Sequence, residues 1–146
     1  MTIGEIMTTS LVTVSEDARL DAVQAMLQQH DIHHLLVRDA EGEIVGAITD
    51  RDVLRELSPF VGKLAERRAD RETLTLRAHQ IMTHDVPSVS PEMEVPHATR
   101  ILLQRRVSCL AVRDAAGVMV GIVTWRDLLR AMAGTLTDAT PGPHVP

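Results

Sequence analysis

A seven-residue phrase occurs twice in this chain. Residues 46–52 read GAITDRD and residues 121–127 read GIVTWRD, which is a displacement of 75 residues. The same displacement places IMT at residues 6–8 on IMT at residues 81–83, and the match needs no gap. Self-similarity at one fixed period indicates an internal structural repeat, and two copies predict a pseudo-symmetric pair rather than a solenoid.

Each copy carries the same order of predicted elements, in which β-branched runs predict strands and apolar residues at helical spacing predict helices. The first copy is predicted to have strands at 12–14, 35–37 and 44–49 and helices at 20–30 and 50–57. The second copy is predicted to have strands at 86–89, 109–113 and 119–124 and helices at 95–104 and 125–132. One such α+β unit has too small a core to stand alone, so the two copies are expected to pack through their sheets.

The repeat also sets the expected domain boundaries. We expect a first repeat at 1–57, a linker at 58–78, a second repeat at 79–133 and a flexible tail at 134–146. The linker is polar and includes Arg67, Arg68 and Arg71, which favours a solvated surface with one short exposed helix. The tail contains three prolines and little apolar content, which is typical of a frayed end.

Composition excludes several classes of protein. A net charge of −5 and only two aromatic residues, Phe60 and Trp125, make nucleic-acid binding an unexpected function. The sequence has no apolar run long enough for a membrane span and no signal peptide at its start. The single cysteine, Cys109, lies in an apolar strand and predicts a buried, unreactive thiol in a reducing cytoplasm.

The repeated phrase places Thr49 and Asp52, and again Thr124 and Asp127, where a strand gives way to a helix. One interpretation is purely structural, because Thr followed three residues later by an acidic residue is the spacing of a capping box. The other interpretation is a ligand site, because a carboxylate can accept both hydroxyls of a ribose and a hydroxyl can donate to a phosphate or sugar oxygen. The duplication at equivalent positions favours the ligand interpretation.

These motifs together resemble a tandem pair of cystathionine-β-synthase (CBS) domains. The resemblance rests on IMT, then VTVS or PSVS, then LLVRDAEGEIVGAITDRD or LAVRDAAGVMVGIVTWRD, and covers residues 4–57 and 79–132. It implies β-α-β-β-α repeats that regulate rather than catalyse and that bind AMP, ADP or ATP, or less often S-adenosylmethionine or NAD, in clefts between the copies. It further implies no obligatory cofactor, an unknown downstream protein partner, and a homodimer formed through apolar helix faces such as the one bearing Met26, Leu27, Leu102 and Leu103.

The resemblance also carries site residues over by position. It implies ribose binding by Asp52 and Asp127, ribose or phosphate contacts from Thr49 and Thr124, and phosphate contacts from Arg51 and Arg126. It implies walls around the adenine from the loops at 8–12 and 83–87, and backbone hydrogen bonds to the base from 32–35 and 107–110. The remaining candidate ligand-binding residues are therefore Thr8, Val12, Ile32, His34, Thr83, Pro87 and Val107.

Asp50 in the first copy corresponds to Trp125 in the second, and this difference predicts two unequal sites. A second carboxylate repels a phosphate by on the order of 1 kcal/mol at a wet site, so we expect the Thr124/Asp127 site to bind a nucleotide better. Two alternatives remain: an interaction module that binds no ligand, or a stress protein linked to metal or redox chemistry. The cluster His30, His33 and His34 would serve a metal, but it is not repeated in the second copy, so no metal site is expected.

Overall fold

The computed structural model describes residues 1–137. Residues 12–86 form one compact unit, and residues 1–11 form another together with residues 87–137. These boundaries differ from those of the sequence repeats, because the segment that opens each repeat belongs to the unit that contains the other repeat. The part of the predicted tail beyond residue 137 lies outside the described residues.

The unit of residues 12–86 is a four-stranded sheet with helices packed on it. Its elements are β1 (Thr13–Ser15), α2 (Leu20–Gln29), β2 (His34–Arg38), β3 (Ile44–Thr49), α3 (Asp50–Glu56), α4 (Arg68–Glu72), α5 (Ala78–Ile81) and β4 (Thr83–His84). The sheet order is β1-β2-β3-β4, with β1 parallel to β2 and the other pairs antiparallel. Aliphatic side chains fill the core, among them Leu20, Val23 and Ile48, which are fully buried.

The second unit repeats this architecture. Its elements are α1 (Ile3–Ile6), β5 (Ser88–Val89), α6 (Val95–Arg105), β6 (Cys109–Arg113), β7 (Met119–Thr124) and α7 (Trp125–Thr137). The sheet order is β5-β6-β7, and the pairing of β6 with β7 matches that of β2 with β3. The core is again aliphatic and includes Ile3, Leu110 and Val123. Helix α7 continues beyond the predicted end at 132.

The exchanged segments complete the sheets. Thr83 pairs with Ala47 on β3, and Thr8 bridges Ile122 on β7 through two backbone hydrogen bonds of 2.9 and 3.0 Å. The close approach is possible because Gly46 and Gly121 have no side chain at this surface. The glycine of the repeated phrase therefore leaves room for the backbone of Thr83 in the first repeat and of Thr8 in the second.

The burial of individual residues bears on the expected thiol, the expected dimer face and the expected linker helix. Cys109 is buried, as predicted. Leu27 and Leu102 lie in the cores of their own units rather than on a dimer face, because α2 and α6 turn those positions toward the sheets, whereas Leu103 is exposed. Helix α4 is the short exposed helix predicted in the linker.

Within residues 1–137, no helix has the length and apolar character needed to cross a membrane.

Candidate functional site

The first candidate site lies where β3 ends and α3 begins. Thr49 is the N-cap of α3, and its side-chain oxygen accepts a hydrogen bond of 3.1 Å from the backbone N–H of Asp52. In return, Oδ2 of Asp52 accepts a hydrogen bond of 2.8 Å from the backbone N–H of Thr49. The capping box predicted from the spacing is confirmed, with aspartate in the place more often held by glutamate.

Taken as a whole residue, Asp52 is 8% exposed, and it is the one charged residue that is buried in the described part of the chain. Its second oxygen, Oδ1, lies 3.5 Å from Nη1 of Arg55, whose side chain is largely exposed. An ion pair of this length with an exposed arginine is weak and easily replaced. One oxygen is therefore held by the main chain, while the other faces a replaceable partner.

The second candidate site has nearly the same geometry. Oδ2 of Asp127 accepts hydrogen bonds from the backbone N–H of Thr124 at 2.7 Å and from its hydroxyl at 2.8 Å. Oδ1 of Asp127 lies 3.4 Å from the exposed Arg130. The Asp52 and Asp127 side chains are 11% and 12% exposed, respectively, so each keeps a small edge at the surface.

The two candidate phosphate-binding arginines, Arg51 and Arg126, are exposed, and each lies in the first turn of its helix, two residues after the threonine and one before the aspartate. The guanidinium of Arg126 lies 5.3 Å from the centre of the Trp125 ring, which is a cation–π distance. Arg51 has no aromatic neighbour of this kind, because Asp50 stands at the equivalent position. The arginines therefore differ in surroundings although their positions match.

The remaining candidate residues divide between the two units. In the unit of residues 12–86, His34 pairs with Thr49 across β2 and β3, and Thr83 lies on the neighbouring strand beside Ala47. Val12 and Ile32 pack against the core of the same unit.

In the other unit, Thr8 lies beside Ile122 on β7, and the carbonyl of Pro87 accepts a hydrogen bond from the backbone N–H of Ala111. Val107 packs against the core there. The loops at 8–12 and 83–87 are thus each divided between the units, and Thr8 lies with the second repeat whereas Thr83 lies with the first.

Sequence reasoning missed an ion pair beside the first site. Nδ1 of His33 lies 2.7 Å from Oδ2 of Asp50. Partial burial raises the pKa of the Asp50 carboxyl, but the hydrogen bond and charge of His33, with smaller contributions from the α3 backbone and His34, outweigh it and hold that pKa below its ordinary value. No spacing rule reveals the pair, because its partners are 17 residues apart and meet only through the pairing of β2 with β3.

An open cavity of about 460 Å³ lies in the unit of residues 12–86, but away from this ion pair. It is lined by Glu16, Asp17, Val45, His79, Met82 and His84. Val45 stands near the start of β3, whereas Thr49 ends it. Among the described residues, no three histidine, cysteine or acidic side chains are placed to hold a metal ion.

The chain contains two similar α+β units. In each unit a strand ends at a threonine, a helix follows, and an aspartate in its first turn accepts a hydrogen bond from the N–H of that threonine. This duplication defines a tandem-repeat module. The family model for the CBS domain matches residues 3–59 and 78–134, and the chain therefore belongs to the CBS domain family as a tandem pair.

Three known proteins resemble it along most of their own length. A CBS domain-containing protein of Dictyostelium discoideum is 32% identical over 143 residues, which are 95% of this chain and 96% of that protein. The CBS domain of a CBS domain-containing membrane protein from Sphaerobacter thermophilus is 34% identical, with a TM-score of 0.73 over 89% of this chain and 86% of that one. The structure of CBSX2 in complex with AMP is 25% identical, with a TM-score of 0.70 over 92% of this chain and 97% of that one.

Proposed function

We propose that this chain is a regulatory module that binds an adenine nucleotide of the AMP, ADP or ATP class at two groups of residues, one in each unit. Membership of the CBS family and the likeness to CBSX2, whose structure holds AMP, support the proposal. The observation that carries it is the duplicated Thr–Asp arrangement, in which Asp52 and Asp127 each keep one carboxylate oxygen beside a replaceable arginine.

The capping role and the ligand role are compatible in this geometry. Because the main chain holds Oδ2 of each aspartate, Oδ1 is oriented in advance, and ribose hydroxyls donate to it when Arg55 or Arg130 swings into solvent. Preorganisation of this kind lowers the entropic cost of binding. In the proposed complex Arg51 and Arg126 bind the phosphate.

The other candidate residues surround the base in this proposal. Thr83, Val12, Ile32 and His34 serve the Asp52 site, and Thr8, Pro87 and Val107 serve the Asp127 site. This division follows the unit to which each residue belongs.

Regulation by this module acts through the relative populations of its conformations. The chain acts as a cytoplasmic homodimer that passes its ligation state to a partner protein, and a nucleotide shifts its conformations only as far as it binds one state better than another. S-adenosylmethionine and NAD are the less favoured ligands.

Calorimetric titration of AMP, ADP, ATP, NAD and S-adenosylmethionine tests the proposal, with a thermal-shift panel alongside. A ligand at 100 times its Kd adds about 2.7 kcal/mol of stability. Asp52→Asn and Asp127→Asn each keep a carbonyl oxygen for the cap but lose the charge, so each weakens its own site about tenfold.

Asp70→Asn is the matched control for the loss of a charge at a helix-capping aspartate. Asp70 also accepts a backbone hydrogen bond of 2.7 Å at the start of a helix, from the N–H of Arg67, but it lies in the linker and in neither site. It should leave nucleotide affinity unchanged. Equal losses from all three variants would remove the support for ribose binding.

A second candidate is an interaction module that binds no nucleotide. The observation that favours it is that both site aspartates already serve as helix caps, which accounts for their presence without a ligand. A flat response to all five ligands would favour this candidate.

A further inference from the structure

The open cavity of about 460 Å³ in the unit of residues 12–86 shares no lining residue with the two proposed nucleotide sites. Its volume falls within the range of roughly 300–1,000 Å³ that is usual for small-molecule sites. The end of β1 and the start of β3 supply half of its lining, and the segment that opens the second repeat supplies the other half. In that order, the lining residues are Glu16, Asp17, Val45, His79, Met82 and His84.

The second repeat has the same backbone at the equivalent positions but different side chains. The N–H of His79 donates to the carbonyl of Glu16 at 2.9 Å. In the second repeat, the N–H of Gly4 donates to the carbonyl of Pro91 at 2.8 Å. A histidine and a glutamate are thus replaced by a glycine and a proline while the backbone hydrogen bond is kept. The fold therefore does not require the polar lining of the cavity, which leaves these side chains available to a ligand.

We propose that this cavity binds a small aliphatic amine, whose ammonium group lies against Glu16 and Asp17. The carbon chain of the amine then lies on Val45 and Met82. This site goes beyond the proposed function, because it is separate from both nucleotide sites and takes a ligand of a different chemical class.

Two carboxylates supply the charge that an ammonium group needs. Within residues 1–137, neither the Glu16 nor the Asp17 carboxylate has an ion-pair or hydrogen-bond partner. The guanidinium of Arg77 lies nearby, but it donates to the backbone carbonyl of Asp17, at 3.0 Å, rather than to the carboxylate. A cavity lined by one sign of charge favours a ligand of the opposite sign.

The ring of His79 adds a hydrogen-bond acceptor to the same cavity. Its Nδ1 lies 3.1 Å from the backbone carbonyl oxygen of Glu16. Because a carbonyl oxygen can only accept, Nδ1 carries the hydrogen, and in the neutral ring Nε2 is left as an acceptor. An ammonium group has several N–H donors, so it can use this nitrogen as well as the carboxylates.

The apolar part of the lining favours an organic cation over a metal ion. Met82 is only 9% exposed, and its sulfur lies where a β-carbon at residue 46 would be 2.6 Å away. Val45 is partly buried against the core of the same unit. Each methylene group that is fully buried on such a surface raises affinity about fourfold, whereas a metal ion gains nothing from it. Within residues 1–137, no three histidine, cysteine or acidic side chains are placed to hold a metal ion.

The experiment titrates the isotope-labelled full chain with butylamine and follows the NMR signals of the backbone amides. A salt concentration of about 0.15 M screens charges that lie further than about 8 Å from the ligand. Glu16→Gln and Asp17→Asn each neutralise one carboxylate. Glu92→Gln is the matched control, because Glu92 is the exposed acidic residue that corresponds to Asp17 in the second repeat. Circular dichroism confirms that every variant is folded.

Saturable shifts should appear at the amides of residues 16–18, 45–46 and 79–84. Glu16→Gln and Asp17→Asn should each weaken binding about fivefold, which is the worth of one unit charge about 4 Å away in water. Glu92→Gln should leave the affinity unchanged. The ammonium ion, which has the charge but no carbon chain, should bind at least about tenfold more weakly than butylamine. Asp17 is exposed, so Asp17→Asn decides the matter if Glu16→Gln does not fold.

Shifts that spread over the acidic surface without saturating would overturn the proposal, because they indicate unspecific attraction of a cation. An equal loss from Glu92→Gln, or equal binding of the ammonium ion, would overturn it as well. None of these results would affect the proposed nucleotide sites, which are tested with other ligands and other variants. A chain that binds no nucleotide would in turn leave the amine site standing.

Discussion

The substitution Gly46→Ala tests how tightly the exchanged segment packs on β3. A β-carbon at residue 46 would lie 2.6 Å from Sδ of Met82 and 2.8 Å from the backbone carbonyl oxygen of Thr83. The methionine sulfur is the end of a flexible side chain and can move. The carbonyl belongs to β4, which is paired with β3 at Ala47, so relief there requires the strand to shift.

The matched substitution in the second repeat is Gly121→Ala. Its β-carbon would lie 2.6 Å from Sδ of Met7, but the nearest carbonyl oxygen, that of Thr8, is 3.1 Å away. That backbone needs to move by only a few tenths of an ångström. Neither glycine has a positive φ, so backbone strain does not separate the two substitutions.

The change in the free energy of unfolding that each glycine substitution causes is the sum of two opposing effects. Overpacking of a tight interior costs about 1–3 kcal/mol, whereas replacing glycine by alanine at a compatible backbone conformation returns about 0.4–1 kcal/mol through the unfolded chain. We expect Gly46→Ala to lower the free energy of unfolding by about 2 kcal/mol and Gly121→Ala by about 1 kcal/mol or less. Relative to Met82→Ala alone, which removes the sulfur, Gly46→Ala should still cost nearly as much, because the carbonyl of Thr83 remains.

Guanidinium unfolding followed by circular dichroism measures both losses, and the fluorescence of the single tryptophan, Trp125, reports the unit of the second repeat. Comparing the two signals shows which unit each substitution weakens. If Gly121→Ala is as costly as Gly46→Ala, or if Gly46→Ala costs nothing when it is measured against Met82→Ala alone, the carbonyl contact is not the cause.

Three further predictions concern helix ends and charge. Thr49→Ala removes the N-cap of α3 and should cost about 1 kcal/mol in urea unfolding, whereas Thr49→Ser should cost much less. Arg106→Gly, at φ 53° after α6, should raise the melting temperature, and Asp31→Gly, at φ 49° in the first repeat, should raise it less because aspartate tolerates this conformation better. Because the folded-state pKa of Asp50 is lowered, its pairing with His33 stabilises the fold above about pH 4, and this stabilisation is lost as the pH falls through the lowered pKa. Asp50→Asn should therefore destabilise the protein at pH 7, and by progressively less as the pH falls below about 4, as followed by thermal unfolding.

The local structure could largely be predicted from the sequence. The 75-residue displacement and the alternation of apolar residues predicted the principal strands and helices of each repeat, and the spacing of Thr49 and Asp52 predicted a capping box. These features depend on neighbours within a few residues, for which pattern rules are reliable. Helices α1 and α5 have four residues each and are too short to show a helical period.

The missed features depend on pairing between distant residues. The exchange of segments arises because Thr8 pairs with Ile122, and the ion pair of His33 with Asp50 arises from the register of β2 and β3. The repeat shows that two copies exist, but it does not specify which copy each opening segment joins. The ligand role of Asp52 and Asp127 is likewise not separable from capping by spacing alone.

The exchange of opening segments has a consequence for how such a protein could arise. A chain with only residues 1–57 would lack β4 and leave the surface of β3 at Gly46 uncovered. Its own Met7 and Thr8 would have to fill that place in another molecule, as in domain swapping. A single-copy ancestor is therefore expected to have worked as a pair of chains, and gene duplication would have joined the two partners covalently without changing their packing.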